Sequence, residues 1–391
     1  MAEGASRLYL PVLLSFESMA RAAFLFGSGI SLASGAPRVD TITNLVLGQS
    51  DDPAVACAQA FLKLVKAEID THLLEQENRE ANYEDLYAAS YQIFQDQKED
   101  ITSPLIWRSM EALQNASVEI QRAVPTRGQP TQFLDLLLTA NEWIQGAVWQ
   151  SLRPVTEPKG LSVVAEVAAS TETMDVFTLN HDLLLENLFA QSSIPFSDGF
   201  AQEDNDFTRF NWSWKSSDKV RLLKLHGSIN WFRFDFTNEG KTTRQYARVV
   251  GDHRDARPAA GRAMEVDDQP AVLTGTTVKE QTYGLYLFGE IFSKFRRYLS
   301  KHDTIIVSGY GWGDKGINHR LNQWLGDGDD HRIVILHNNP DEVLAEKRFW
   351  SGRWGWYSET GKVVLVEKWL SECTLADLAP YFDRRPAPPH C

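Results

Sequence analysis

Four short segments of the sequence combine glycine with serine, asparagine, aspartate or histidine, and each directly follows an apolar run. They are Gly27–Ser31, Asn180–Asp182, His226–Ser228 and Gly309–Asp314. A Gly-x-Gly turn lets backbone N–H groups approach a phosphate without an intervening side chain. A histidine can take up a proton near neutral pH. Together, the segments predict a site that binds a phosphorylated ligand and moves a proton.

Each of these residue types also has a purely structural interpretation. Asn180 and Asp182 can cap the helix that begins near Leu183, because asparagine and aspartate are favoured at that position. His226 can be a packed histidine before a glycine turn, and the glycines of the other two segments can serve only loop geometry. A lone Gly-x-Gly is weak support for a nucleotide site. From the residues alone, both interpretations stay open.

The apolar runs before these segments predict the strands of a parallel sheet. Short, continuous apolar runs are typical of strands that are buried on both faces. In an open α/β sheet the ligand crevice lies outside the carboxyl ends of the strands, so the four segments are expected to converge there. The predicted strands are Ala22–Phe26, Asp175–Leu179, Val220–Leu225, Thr304–Ser308 and Arg332–Leu336. The helices predicted between them are Ser162–Ser170, Leu183–Phe189, Tyr286–Ser300 and Lys315–Leu325.

A long helical region interrupts this alternation. After a short helix at Asp40–Leu47, apolar residues recur three and four positions apart from Ala54 to Trp149. This is too much helix for one crossover, so we predict an inserted helical subdomain at residues 54–155 within a single domain of residues 7–383. Further expectations are a hairpin arm at 231–236, a mobile loop at 251–270, a strand at 271–274 and a disordered tail at 384–391.

Composition narrows the functional classes. The formal charge is −13, which argues against direct binding to nucleic acid. The three cysteines, Cys57, Cys373 and Cys391, form no C-x-x-C pair, so neither a zinc ribbon nor a disulfide framework is supported. No run of eighteen apolar residues and no convincing signal peptide is present, so we expect no membrane association and a cytoplasmic location.

Six segments resemble those of the sirtuin-like NAD-binding domain, in a divergent bacterial branch linked to phage defence. In chain order they are FGSGIS, NYEDL, FTLNHD, KLHGSINW, VLTGTTVK and VSGYGWGDKGIN. The matches run from about Phe24 to Pro340. The resemblance implies a Rossmann-like, sirtuin-like α/β fold with NAD as the substrate.

The resemblance also implies residue roles. Asn180 and Asp182 match the residues beside the nicotinamide ribose, and His226 matches the catalytic histidine. The other matching residues are expected to bind the cofactor at three places, namely its pyrophosphate, its far side and its adenosine end. They are Gly27, Ser28, Gly29 and Ser31 for the pyrophosphate, Gly309, Tyr310 and Asp314 for the far side, and Asn338 for the adenosine end.

Three departures from the deacetylases of the family change the expected reaction. The deacetylases have a zinc module that needs four cysteines, whereas this chain has three cysteines in all. Where the deacetylases usually have a glutamine before the asparagine, this chain has Leu179. Their Asp-Phe-Arg is replaced here by Arg38-Val39-Asp40. We therefore expect no zinc, and hydrolysis of NAD to nicotinamide and ADP-ribose rather than deacylation. The alternatives are an ADP-ribosyl transferase or deacylase, and a non-catalytic NAD- or ADP-ribose-binding scaffold. Because unregulated NAD hydrolysis would kill the host, we expect a homo-oligomer or, by resemblance, a HerA-type ATPase partner.

Overall fold

The structure is a computed structural model that describes residues 19–99, 114–116, 118–119, 133–211, 219–267, 269–275, 286–345 and 353–383. The strands are β1 (Met19–Phe26), β2 (Thr171–Thr178), β3 (Phe196–Ser197), β4 (Phe200–Asp204), β5 (Phe207–Phe210), β6 (Val220–Lys224), β7 (Trp231–Asn238), β8 (Lys241–Val249), β9 (Arg262–Glu265), β10 (Thr304–Ser308), β11 (Arg332–Leu336) and β12 (Val363–Val366). The helices are α1 (Val39–Val46), α2 (Pro53–Glu77), α3 (Tyr83–Glu99), α4 (Phe133–Leu152), α5 (Ser162–Ser170), α6 (Leu184–Gln191), α7 (Tyr286–Leu299), α8 (Lys315–Asp327), α9 (Pro340–Ala345), α10 (Trp354–Glu359) and α11 (Leu375–Leu378). The ends of the predicted core strands and helices agree with these bounds to within a few residues.

A seven-stranded parallel sheet forms the centre of the fold. Its strand order is β12-β11-β10-β1-β2-β6-β3, and every neighbouring pair is parallel. Strands β2, β6 and β3 lie on one side of β1, and the later strands β10, β11 and β12 lie on its other side. The strand order therefore reverses between β1 and β10, where a ligand crevice is expected. The predicted α/β fold class with a parallel sheet is confirmed.

Both faces of this sheet are covered, which explains why β1 is apolar at every central position. Ala23 and Leu25 pack into a core with Phe295 of α7 and Leu321 of α8. The alternate residues, such as Phe24, pack on the opposite face with α5 and α6. Successive side chains of a strand point to opposite faces, so a strand covered on both sides has no polar face.

The helices α2, α3 and α4 lie where the sequence predicts helix. They share a third core with α1, to which Phe61, Leu86, Leu137 and Ile144 contribute. Ile229, which follows His226 by three residues, packs into the same core and joins it to the main sheet. The bounds 54–155 of an inserted subdomain stay a prediction. Within the described ranges, no helix is both long enough and apolar enough to span a membrane.

A second sheet of five antiparallel strands, in the order β4-β5-β8-β7-β9, corrects part of the prediction. The expected hairpin arm is the start of β7, which pairs with β8 along its length and turns at Glu239 and Gly240, both at positive φ. The expected loop at 251–270 contains β9, which pairs with β7. The prediction of a strand at 271–274 was wrong, because this segment forms only one isolated β-bridge, between Gly227 and Val272. The expected tail, 384–391, lies outside the described residues.

Candidate active site

A cavity of about 370 Å³ opens at the carboxyl ends of the strands, beside the point where the strand order reverses. All four polar segments that the sequence indicated reach it. Nine of the predicted site residues line it: Gly27, Ser28, Gly29, Ser31, Asn180, Asp182, His226, Tyr310 and Asp314. The convergence expected from the strand ends is therefore present in the structure.

Two of the predicted residues lie outside the cavity lining. Gly309 contacts the glycine turn from the neighbouring strand, and the cofactor-binding role expected for it stays a prediction. Asn338 is exposed just beyond the end of β11 and does not line this cavity. The ligand-binding role expected for Asn338 stays a prediction.

The glycine turn is built by the close approach of two loops. A Cβ on Gly27 would lie 2.5 Å from the carbonyl oxygen of Gly309, and a Cβ on Gly29 would lie 2.6 Å from the Gly309 Cα. The N–H groups of Gly27 and Gly29 already donate to the carbonyls of Ser308, at 3.0 Å, and Gly309, at 2.9 Å. The glycines therefore allow the ends of β1 and β10 to approach closely. Ser28 begins a 3₁₀ helix over Ser28–Ser34, and its side chain is exposed to solvent.

Ser31, Asn180 and Asp182 form one buried hydrogen-bond network. Asn180 Nδ2 donates to Ser31 Oγ at 2.9 Å, and Ser31 Oγ donates to Asp182 Oδ2 at 2.7 Å. The other oxygen, Asp182 Oδ1, accepts from the N–H of Leu184 at 3.1 Å at the start of α6. Asp182 therefore both accepts a hydrogen bond at the start of α6 and lies in the cavity lining, and its expected role beside a ribose stays a prediction. Asn180 Oδ1 is buried with no hydrogen-bond partner among the described residues.

A buried lysine that no sequence pattern singled out supports this network. Lys224 ends β6, and its side chain is 0 % exposed. Its Nζ donates to the carbonyl oxygen of Asp182 and, at 2.7 Å, to Glu186 Oε1. Burial raises the pKa of Glu186, and the positive charge of Lys224 opposes that rise. Lys224 thus ties the loop after β2 to β6.

His226 and Asp314 form a buried pair at the cavity wall. His226 Nε2 lies 2.8 Å from Asp314 Oδ2, and each side chain is 4 % exposed. Asp314 Oδ1 accepts from the N–H of Ile317 at 3.0 Å and so caps α8. The sequence placed both residues at strand ends, but their contact spans 88 positions and required the fold.

The loop that carries Asp314 is held by its own hydrogen bonds. Tyr310 Oη donates to Asn318 Oδ1 at 2.8 Å, and Asn318 Nδ2 donates to the carbonyl of Trp312 at 2.6 Å. Trp312 is buried at a φ of 55°, which is unfavourable for a bulky residue. Such a conformation persists only where the surroundings fix it. The loop is therefore a rigid support for Asp314.

Among the other residues that line the cavity, four have polar or charged side chains that sequence reasoning did not assign to the site. They are Arg38, Tyr83, Glu84 and His181. Arg38 is exposed and, among the described residues of this lining, is the only arginine or lysine. Tyr83 and Glu84 begin α3, so the helical region contributes directly to the cavity wall. The polar start of α3 in NYEDL was the available signal for these two. Across the described part of the chain, no group of three or more His, Cys, Asp or Glu residues is arranged to hold a metal ion.

Part of the chain matches a known protein family. Residues 175–353 match a family model described as a SIR2-like domain. This match contains Asn180, Asp182, His226 and Asp314, whereas the glycine turn at the end of β1 precedes it. No curated protein matches the sequence significantly.

Solved structures that are similar to the chain include three Sir2 complexes. A Sir2 homologue–NAD complex is 12% identical, with 93% of this chain and 89% of that chain covered and a TM-score of 0.34. A mutant Sir2 homologue with ADP-ribose is 12% identical, with 83% and 82% covered and a TM-score of 0.34. Sir2 bound to acetylated peptide is 12% identical, with 91% and 90% covered and a TM-score of 0.35.

Proposed function

We propose that this protein is an NAD⁺ glycohydrolase that cleaves the bond between nicotinamide and ribose. The observation that carries the proposal is the convergence of Asn180, Asp182 and His226 on one cavity beside the glycine turn. The SIR2-like match over residues 175–353 supports NAD as the ligand class. The products are nicotinamide and ADP-ribose.

The reaction consumes one water molecule and releases one proton. The bond between the nicotinamide nitrogen and the ribose C1′ breaks, its electron pair leaves with neutral nicotinamide, and the oxygen of water bonds to C1′. Positive charge develops on the ribose as the bond breaks, and polar groups fixed in advance stabilise such charge. Asn180 Oδ1, which is buried and has no hydrogen-bond partner in the part of the chain that the structure describes, and the Asp182 carboxylate are the groups assigned to that role. His226 accepts the proton from water.

Arg38 and Ser28 are assigned to the pyrophosphate. Two negative phosphates next to Asp182, Asp314 and Glu84 need a cation, and Arg38 is the arginine in the lining. Guanidinium groups bind phosphate oxygens through paired N–H donors. Replacement of Arg38 by alanine should therefore raise KM more than it lowers kcat.

The residues favour hydrolysis over acyl transfer. Three cysteines in 391 residues cannot supply the four that a deacetylase zinc module needs. Arg38-Val39-Asp40 and Leu179 occupy positions where deacetylases carry other residues. ADP-ribosyl transfer or deacylation, and ligand binding without cleavage, are the alternatives, and each gives a different product pattern.

The test is incubation of purified protein with NAD⁺ and chromatography of the products. We expect equimolar nicotinamide and ADP-ribose, and near-complete loss of cleavage in His226→Ala and in Asn180→Ala. His319→Ala, at an exposed position of α8, is the matched control and should retain activity. Turnover by either site variant within roughly tenfold of wild type, about 1.4 kcal/mol of barrier, would contradict the assignment. ADP-ribose attached to protein would indicate a transferase, and NAD binding without cleavage a scaffold.

For the biological role we propose NAD depletion in anti-phage defence, in the cytoplasm, with regulation by self-association or by a HerA-type ATPase. This rests on the family resemblance. The proposed contact region is residues 54–149 together with the segment 251–270. Met264 in this segment and Val250 just before it are exposed apolar side chains. Hydrogen exchange with and without the partner should show protection there. Changes confined to residues beyond Asn338 would rule this region out.

A further inference from the structure

We infer that Asn318 is a positioning residue that holds the loop Gly309–Asp314 in the conformation that binds NAD. The inference rests on the proposed function of the cavity and deepens it. Asn318 lies in the first turn of α8, is 7 % exposed and does not itself line the cavity. It therefore acts on the ligand through the loop and not by direct contact.

The loop contributes four residues to the cavity wall and one side chain to the protein core. Tyr310, Gly311, Gly313 and Asp314 line the cavity, whereas Trp312 is buried in the core on one face of the central sheet. A Cβ at Gly311 or Gly313 would meet no described atom within 4 Å, and neither glycine has a φ in the left-handed region. Crowding and backbone strain therefore do not explain these two glycines. Backbone without side chains lets a ligand approach closely.

The side-chain amide of Asn318 joins two points of this loop. Its Nδ2 lies 2.6 Å from the carbonyl oxygen of Trp312, and its Oδ1 lies 2.8 Å from Tyr310 Oη. A carbonyl oxygen can only accept a hydrogen bond, so the amide nitrogen must face Trp312. The amide oxygen then faces Tyr310, whose hydroxyl must donate. The orientation of the amide is thus fixed by its partners, and each end engages a different residue of the loop.

Trp312 is the residue of the loop that needs such a tie. Its φ is 55°, and a bulky residue keeps a positive φ only where its surroundings fix it. Burial of the indole in the core fixes the side chain, and the hydrogen bond from Asn318 Nδ2 fixes the carbonyl group. Loss of the Nδ2 donor should therefore let the Trp312 peptide turn, which moves Gly311 and Gly313 on either side.

The inference predicts an effect on NAD binding and not on the chemical step. The Asp314 carboxylate accepts from the N–H of Ile317 and contacts His226, and neither contact uses the Asn318 side chain. The groups assigned to bond cleavage therefore keep their places when this side chain changes. Contacts that a substrate makes equally in its ground state and transition state affect KM and leave kcat unchanged.

Asn318→Asp tests the inference with the smallest change of shape. The carboxylate keeps an acceptor for Tyr310 but sets an oxygen against the Trp312 carbonyl oxygen, and two acceptors repel each other. Negative charge near the N-terminus of a helix is favourable, so the fold should be retained. We expect KM for NAD⁺ to rise by about tenfold to a hundredfold, the range for one buried hydrogen bond lost, with kcat within a few-fold of wild type.

Asn322→Asp is the matched control. It places the same charge one turn further along α8, outside the loop and the cavity lining. Asn322 Oδ1 accepts from the hydroxyl of Tyr357 at 3.2 Å, and a carboxylate keeps that acceptor. This variant should leave KM and kcat unchanged.

Two further readouts need no turnover. Calorimetric titration with NAD⁺ in a His226→Ala background, which is expected not to consume NAD⁺, should show the same rise in Kd when Asn318→Asp is added. Hydrogen exchange without NAD⁺ should be faster over residues 309–314 in Asn318→Asp than in wild type or in Asn322→Asp.

The outcomes separate this inference from the proposed function. Unchanged KM and Kd in Asn318→Asp, or a fall in kcat at an unchanged KM, would overturn the inference while NAD cleavage stands. Faster exchange with an unchanged Kd would overturn it as well, because the loop conformation would then not affect NAD binding. NAD⁺ binding without cleavage in wild type would overturn the hydrolase, and the rise in Kd would still uphold the inference. If Asn318→Asp does not fold, Tyr310→Phe removes the hydroxyl at the other end of the tie, and the same rise in KM and Kd is expected.

Discussion

Replacement of the buried Lys224 by methionine should destabilise the protein strongly. Lys224 is 0 % exposed, and its partner Glu186 is 13 % exposed. Methionine has a similar volume, so the change leaves little cavity, but it leaves the Glu186 carboxylate buried without its cation. Removal of one partner of a buried pair costs about 3–5 kcal/mol. We expect Lys224→Met to lose an amount in this range near pH 7.

The cost should depend on pH in a direction fixed by Glu186. Burial raises the pKa of Glu186 even beside Lys224, and loss of the lysine charge removes the effect that opposes the rise. An acid with a folded pKa above its unfolded value binds protons more readily when folded, so stability falls as pH rises between the two values. The deficit of Lys224→Met should therefore shrink as the pH is lowered through the raised pKa of Glu186.

The assay is urea unfolding monitored by tryptophan fluorescence, as a double-mutant cycle. Lys224→Met with Glu186→Gln should recover about 1–3 kcal/mol relative to the sum of the single variants. Lys219→Met, a less buried lysine just before β6, is the control and should stay within about 0.5 kcal/mol of wild type. A cost below about 1 kcal/mol for Lys224→Met, or no coupling with Glu186, would refute the reasoning.

Three further results are expected. NAD cleavage should survive EDTA without added divalent ions, because the proposed mechanism gives a metal no role. A loss of NAD cleavage on addition of EDTA that zinc restores would contradict this. Burial of His302 disfavours its charge, but hydrogen bonds to Asp175 and Asp383 outweigh burial and raise its pKa. The stability that protonated His302 contributes is therefore full below about pH 6.5 and is lost as the pH rises through the folded pKa. Urea titrations at several pH values should show this loss in wild type and not in His302→Asn. A Cβ at Gly227, where φ is 82°, would lie 1.9 Å from the Ala271 carbonyl oxygen. Gly227→Ala should therefore lower the thermal midpoint far more than Gly240→Ala, where φ is 78° and the space around the Cβ is open. Equal shifts in the two variants would show that backbone strain alone matters.

The sequence alone predicted five of the seven strands of the central sheet and the edge at which the cavity opens. Thr304–Ser308 and Arg332–Leu336 were predicted with the bounds that the structure gives them. Strands buried on both faces need an unbroken apolar run, and that pattern is local. Because parallel strands end on one edge, the polar residues after the runs could be assigned to one cavity before any contact was known.

The tertiary structure decided the second sheet and the contacts that span the chain. The strands β4, β5 and β9 are short and partly exposed, so their apolar pattern is weak, and pairing with β7 and β8 holds them in place. Lys224 is the last residue of the largely apolar strand β6, and no local pattern showed that its charge is buried against Glu186. His226 and Asp314 are 88 positions apart, and His302 is 127 positions from Asp175. Hydrogen-bond partners at such separations are set by strand order and register, which a single sequence does not encode locally.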